Sequence, residues 1–401
     1  MKERQAGRFS VFFVVLAVCL VYALGGGIRS NYGLMRSAIA GASGVDYAGI
    51  SFVLAAAQLA FGVMQPVFGA LALKTSNVFV LLGGAAMAVL GLVLTPLCRG
   101  TWALLLCFGI LMPAGLGAFS FGLIMGGVTP LLGEKRASAV SGIINASSGL
   151  GGILLALLLR GVLDRFGLWG AVIALRLPLV CLMPVLLLLR RADARQAGHK
   201  PPLLRPLLEE AFHDRSYRLL SLAFFTCGFH MAIIETHLYT QFTGYGFSEQ
   251  SVTYAFSIYG IATMAGSVVS GYLGSRFSMK TVLGCFYAFR TLWIVGFLLL
   301  PKSPASMYLF AILLGFTGMA TVPPTSGLIG RRFGPAALGT LFGVAFLFHQ
   351  MGSFVSAWVG GLTVTATGGY TLIWCIDAAL CLAAAACAFR VTMPTGVKTE
   401  E

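Results

Sequence analysis

Charge is what this sequence lacks. Only 10% of its 401 residues are charged, and only 13 are acidic, where a soluble domain carries about 25% charged residues. That excludes a water-soluble globular chain. Cysteine pairs are also missing. Nine cysteines are present, but no two have C-x-x-C spacing and most sit in apolar runs. No disulfide framework and no metal site is expected. There is no H-E-x-x-H, no G-x-S-x-G elbow and no G-x-x-x-x-G-K phosphate loop. These absences argue against an enzyme, a bound cofactor and ATP-driven pumping. No removable leader is expected either. The first apolar run, Val11 to Ile28, is longer than a signal h-region and no A-x-A-like site follows it.

What is abundant is apolar length. Hydrophobic residues make up 58% and the mean hydropathy is +0.90. About 20 apolar residues in a helix cross a ~30 Å hydrocarbon core. Twelve such runs are expected, near 9–32, 47–70, 76–98, 101–129, 137–160, 168–190, 218–243, 249–275, 280–300, 304–329, 336–363 and 368–390. The fold class is therefore an all-α integral membrane protein. With the N-terminus in the cytoplasm, nineteen of the 27 basic residues fall on the inner side, five outside and three within spans. The positive-inside rule then places both termini in the cytoplasm. The net charge of +14 is a record of topology, and no nucleic-acid partner is expected.

Residues 190–218 form the longest polar stretch, basic and carrying three prolines. They divide the chain into an N-terminal six-helix half at 1–190, a cytoplasmic linker at 191–217 and a C-terminal half at 218–401. Within the linker, Leu203 to Phe212 is patterned for a short surface helix. The halves look like parallel repeats. LLGEKRASAVSG (131–142) aligns with LIGRRFGPAALG (328–339), and GALALK (69–74) with GYLGSR (271–276). Arg176 follows Gly167 by the same nine residues that separate Asp377 from Gly368. The three offsets are 197, 202 and 201.

The seventh run, RLLSLAFFTCGFHMAIIETHLYTQFT, carries His230, Glu235 and His237. Ionisable groups at bilayer depth are costly and mark pathways. His230 and His237, seven apart, share a helix face. His230 lies ~18 Å along a helix starting at Arg218, close to mid-membrane. It is either a proton and substrate group or a hydrogen-bonding bridge between helices.

Several strings resemble the bacterial monocarboxylate-transporter-like branch of the major facilitator superfamily. They are GIRSNYG (27–33), CGFHMAIIETHL (227–238), YAFR (287–290), VPPTSGLIGRRFG (322–334) and LFGVAFLFHQMGSFVSAWVGG (341–361). The resemblance covers almost the whole chain. It implies two six-helix halves, a central site near the midplane and transport of small solutes by alternating access. It also implies a functional cation at Arg29. The other reading of Arg29 is a snorkelling side chain near the outer end of its span. The chain departs from the family in two ways. Leu73 and Ser275 stand where an aspartate normally precedes the loop's basic residue, and 250–275 holds no charge.

Further candidate substrate groups are Arg290, Tyr254, His349, Gln350 and Asn145, beside Arg29, His230 and His237. The proton-coupling candidates are His230, Glu235 and Asp377. Arg290 either faces the cavity or pairs with Asp377, whose estimated depth matches. The expectation is a monomeric, multi-pass transporter of the (bacterial inner) plasma membrane. It moves a small organic anion, a monocarboxylate, with a proton. Export of hydrophobic compounds, or a non-transporting receptor on the same fold, are the alternatives.

Overall fold

The computed structural model describes residues 2–187 and 203–392, and among them there is no strand. Residues 191–202 of the expected linker and the C-terminal residues from 393 lie outside the described residues. The helices begin where side chains can take up the first free N–H groups. Ser76, Ser120, Asp214 and Ser248 accept from the amides of Phe79, Leu123, Tyr217 and Ser251. Ser303 and Ser306 form a reciprocal box at the start of the tenth span.

Among the described residues, eleven helical stretches are long and apolar enough to cross a membrane. One of them, Lys135–Leu186, is two spans in series. It kinks at Gly167, whose φ of 57° and ψ of −154° are non-helical. Only glycine adopts that region without steric cost. The kink gives the twelve spans expected. In order they are Phe12–Ser30, Phe52–Lys74, Asn77–Leu97, Gly100–Leu132, 135–166, 168–186, Arg215–Gly244, Glu249–Arg276, Met279–Leu299, Pro304–Phe333, Pro335–Thr367 and Thr371–Phe389. Leu204–His213 is the expected short amphipathic helix, with Leu207 and Ala211 buried.

The chain separates into two compact units. Unit 1 comprises 1–133, 147–204 and 335–343; unit 2 comprises 134–146, 205–334 and 344–401. The first turns of spans five and eleven thus group with the unit that does not hold the rest of their span.

The backbone corrects the repeat register. Gly133 starts span five with φ 72° and ψ 160°, and Gly334 starts span eleven with φ 84° and ψ 160°. They are 201 residues apart, so the match of Gly133 to Gly330 is one helical turn out. A slip of four keeps side chains on the same face, which is why the glycine pattern survives it. The true offset recurs in packing. In unit 1, a Cβ on Gly151 would meet the carbonyl oxygen of Ala23 at 1.9 Å. In unit 2, one on Gly352 would meet that of Phe225 at 2.0 Å, and one on Gly228 that of His349 at 1.8 Å. Spans one and five, and seven and eleven, therefore cross backbone to backbone, as small residues permit in membranes.

In unit 2 the core surrounds Trp374, which is fully buried with Phe229, Ile233, Phe242, Leu314 and Cys381. Phe297 and Phe310 stack at 3.8 Å, and the Trp374 indole N–H donates to Gln241 Oε1 at 2.7 Å.

Candidate functional site

Departures from regular helix fall mainly in spans one, four, seven and ten. Span one ends in a 3₁₀ turn at Tyr32–Met35, and span four contains a π-helical segment, Leu105–Leu111. Span seven has a π-helical turn at Ile234–Leu238, and span ten a 3₁₀ break at Met319–Thr321. Irregular backbone at membrane depth is tolerated where protein or a wet cavity satisfies it, and π-bulges gather at functional sites.

Unit 2 holds the densest chemistry. His230 Nδ1 lies 2.6 Å from Asp377 Oδ2, and both side chains are 0% exposed. The Cys381 thiol donates to Asp377 Oδ1 at 3.7 Å. Cys381 is four residues after Asp377, so one helix face supplies both. The second ring nitrogen of His230, Nε2, is buried without a partner. A neutral imidazole with its hydrogen on Nδ1 donates to the carboxylate and leaves Nε2 as a vacant base.

Arg290 is also fully buried. Its Nη2 donates to the carbonyls of Thr317 at 2.6 Å and Gly318 at 3.0 Å, and its guanidinium lies over the Tyr287 ring at 5.3 Å. Its Nε and Nη1 have no hydrogen-bond partner. Of the two readings of Arg290, the direct pair with Asp377 is not formed, and the carboxylate pairs with His230 instead. Depth alone suggested the wrong partner because it says nothing about the side of the helix on which a group lies. The two charges are nonetheless neighbours. Thr291 Oγ1 donates to the Ala378 carbonyl at 3.3 Å, and the Arg290 and Asp377 charges act on each other.

His230, Asp377 and Cys381 offer three ligand atoms within 4.8 Å of one another. Their donor types suit a borderline cation. A metal ion there would share its carboxylate with the neighbouring guanidinium, and among the described residues no further His, Cys, Asp or Glu joins the three. The set fits a proton better than a metal.

The remaining candidates do not join this cluster. Glu235 is exposed on the π-helical turn, and its charge reaches the Tyr259 ring. His237 packs on Gly360 and lies 6.3 Å from the Tyr370 ring, with Nε2 buried and unpartnered. His349 stacks on Phe346 at 5.0 Å and faces Gln350. Tyr254 is 53% exposed and accepts from Gln250. Asn145 is buried and donates to Ser267 Oγ at 2.8 Å and to the Met319 carbonyl at 3.2 Å, which makes it a brace between helices. His230, read as either a proton and substrate group or a bridge between helices, is fully buried and hydrogen-bonded to span twelve. In unit 1, Arg29 is half-buried, 5.0 Å over the Phe61 ring, with Nε lacking a hydrogen bond.

Sequence reasoning missed two elements. Cys381 was legible from its i, i+4 spacing to Asp377. The break in span ten was signalled by the adjacent Pro323 and Pro324.

Comparison with known proteins fits this architecture. Rat monocarboxylate transporter 13 is 24% identical over 381 residues, covering 93% of this chain and 86% of that protein. The aspyridones efflux protein of Emericella nidulans is 24% identical over 321 residues, covering 77% and 62%. The structure of the E. coli fucose:proton symporter FucP superposes with a TM-score of 0.72 at 15% identity, covering 96% of this chain and all of that one. The family model of the Major Facilitator Superfamily matches residues 18–289 and 240–401, and the chain belongs to that superfamily as a multi-pass membrane transporter, not an enzyme.

Proposed function

We propose that the protein is a secondary active transporter of the plasma membrane that moves a small organic anion, a monocarboxylate, together with a proton by alternating access, with both termini cytoplasmic. One observation carries the reading: the buried His230–Asp377 pair with its vacant ring nitrogen. Such a pair holds and releases one proton, and a costly group at membrane depth points to a transport pathway. The anion is the task of Arg29. Its half-buried guanidinium has no carboxylate partner among the described residues, and a planar fork accepts a carboxylate with two parallel bonds. The likeness to a monocarboxylate transporter supports the substrate class. The likeness to a proton symporter supports the coupling. If proton and anion favour the same conformations, each tightens the other's binding by the same factor.

The test uses purified protein in proteoliposomes with a pH dye inside and a panel of labelled monocarboxylates outside. Wild type should take up at least one acid and acidify the lumen. His230→Gln should lose proton-driven accumulation while keeping anion exchange. Arg29→Gln should lose uptake, and Arg29→Lys should keep part of it. Normal acidification by His230→Gln, after correction for passive entry of the neutral acid, would remove His230 from the mechanism. The likeness to an efflux protein favours a second reading, export of hydrophobic compounds. Proton-driven extrusion of apolar dyes with no acid uptake would establish it.

A further inference from the structure

Span ten is broken within unit 2, and other spans repair the break. Pro323 and Pro324 have no N–H to give to the carbonyls of Met319 and Ala320. The 3₁₀ turn diverts the Val322 amide to Met319 O, so the Gly318 carbonyl loses its usual i+4 donor. Asn145 of span five donates to Met319 O, and Ser270 of span eight to Ala320 O. Arg290 of span nine holds Thr317 O and Gly318 O. The Cys227 thiol of span seven also donates to Gly318 O, at 3.8 Å; of these four repairs only Arg290 is charged, and it lies beside the proton pair.

We propose that Arg290 is a positioning residue that transmits the protonation state of the His230–Asp377 pair to the break in span ten. This rests on the proton-coupled reading above. The titratable groups that face Arg290 or His230 are Cys227 on span seven, Tyr259 on span eight, Tyr287 on span nine and Asp377 and Cys381 on span twelve. Only Asp377 among them is a carboxylate. Arg290 cannot lose its proton, so the dry cluster is neutral when Asp377 is ionised and His230 is neutral. A proton arriving on Nε2 creates a second cation and a buried N–H with no acceptor. Both penalties are relieved only by moving a cation out of the cluster or admitting water or an anion. The imidazolium stays with the carboxylate that pairs it. The guanidinium, attached to span ten by a single nitrogen and with Nε and Nη1 idle, is the group that yields. When it moves, Thr317 O loses its side-chain donor, Gly318 O keeps only the weak Cys227 thiol at 3.8 Å, and the break loosens.

The experiment is hydrogen–deuterium exchange of the purified full-length protein in detergent. Amides of 317–322 are followed from pH 8 to pH 5 without substrate and corrected for the intrinsic pH dependence of exchange. Wild type should show protection at 317–322 falling at least about tenfold on acidification, while the Trp374 region stays protected. His230→Gln should keep the segment protected at every pH. Arg290→Gln should be unprotected throughout, and Arg290→Lys should restore part of the pH response. Protection that falls equally in wild type and His230→Gln, or not at all in wild type, overturns the proposal, and this arm stands even if Arg290→Gln does not fold. Exchange needs no transport. A pH-dependent segment in a protein that moves no protons would therefore sink the proton-coupled function and leave this inference intact.

Discussion

Among the described residues, Asp377 is the only buried acid beside Arg290 and His230, so its removal strands a cation. Removing one partner of a buried charge pair costs about 3–5 kcal/mol. Asp377→Ala should approach that cost, because Arg290 already has two nitrogens without hydrogen-bond partners and gains no replacement charge. A cost of this size lowers the midpoint of thermal unfolding by roughly 6–20 °C, taking ~2–4 °C per kcal/mol. Asp377→Asn keeps the shape and an acceptor for His230 but removes the charge, and its loss should be similar. The decisive measurement is the double variant Arg290→Gln/Asp377→Asn, which is neutral at both positions. It should be more stable than the sum of the two single losses by at least ~1 kcal/mol, the coupling expected of charges in one network. Unfolding is followed in detergent with a thiol-reactive dye, since Cys227 and Cys381 are buried in this cluster. Single losses that simply add would show that the two charges do not balance one another. A silent Asp377→Ala would refute the reasoning altogether.

Three further outcomes are expected. Gly228→Ala, whose Cβ would sit 1.8 Å from the His349 carbonyl, should sharply reduce folded yield, while Gly361→Ala, with nothing within 4 Å, should not; equal yields on a fluorescence-detected sizing column would refute the close crossing. Asn145→Ala and Ser270→Ala should each lower thermal stability by about 0.5–2 kcal/mol, the range for interhelical hydrogen bonds in membranes; dye-monitored melts would expose the error if neither changes. Lys302→Cys, in a cysteine-free background, should react with an impermeant thiol reagent added to intact cells, and Lys200→Cys should not; the reverse pattern would invert the topology.

The spans were legible because apolar length is a physical requirement of the bilayer and the chain supplies it twelve times. The intramembrane ionisable groups were legible for the same reason, since each stands out against an apolar run. Their partners were not. His230 and Asp377 are 147 residues apart, and hydropathy reports depth without saying which way a helix is rotated. The same blindness let Arg290 be matched with Asp377 when its own hydrogen bonds go to backbone carbonyls. Glycine repeats betrayed the duplication but not its register, because a shift of one turn preserves the face. Asn145 read as a cavity group because sequence cannot distinguish a polar side chain that meets substrate from one that meets a broken helix.

The repair of span ten has a consequence for how the chain is made. A carbonyl left bare in hydrocarbon costs several kcal/mol, so the segment around Met319 is a poor guest for the membrane by itself. Its side-chain donors, Asn145, Cys227, Ser270 and Arg290, all precede it in the sequence. A ribosome building this protein delivers spans five, seven, eight and nine first, and the broken helix emerges to find them waiting. The order is reversed for charge. Arg290 is synthesised 87 residues before Asp377, so from the emergence of span nine until span twelve arrives the guanidinium has span ten's carbonyls and no counter-ion. The hydrogen bonds to Thr317 and Gly318 then serve the nascent chain first and the finished transporter afterwards. Truncations ending before span twelve should therefore be degraded in the cell faster than the full-length chain.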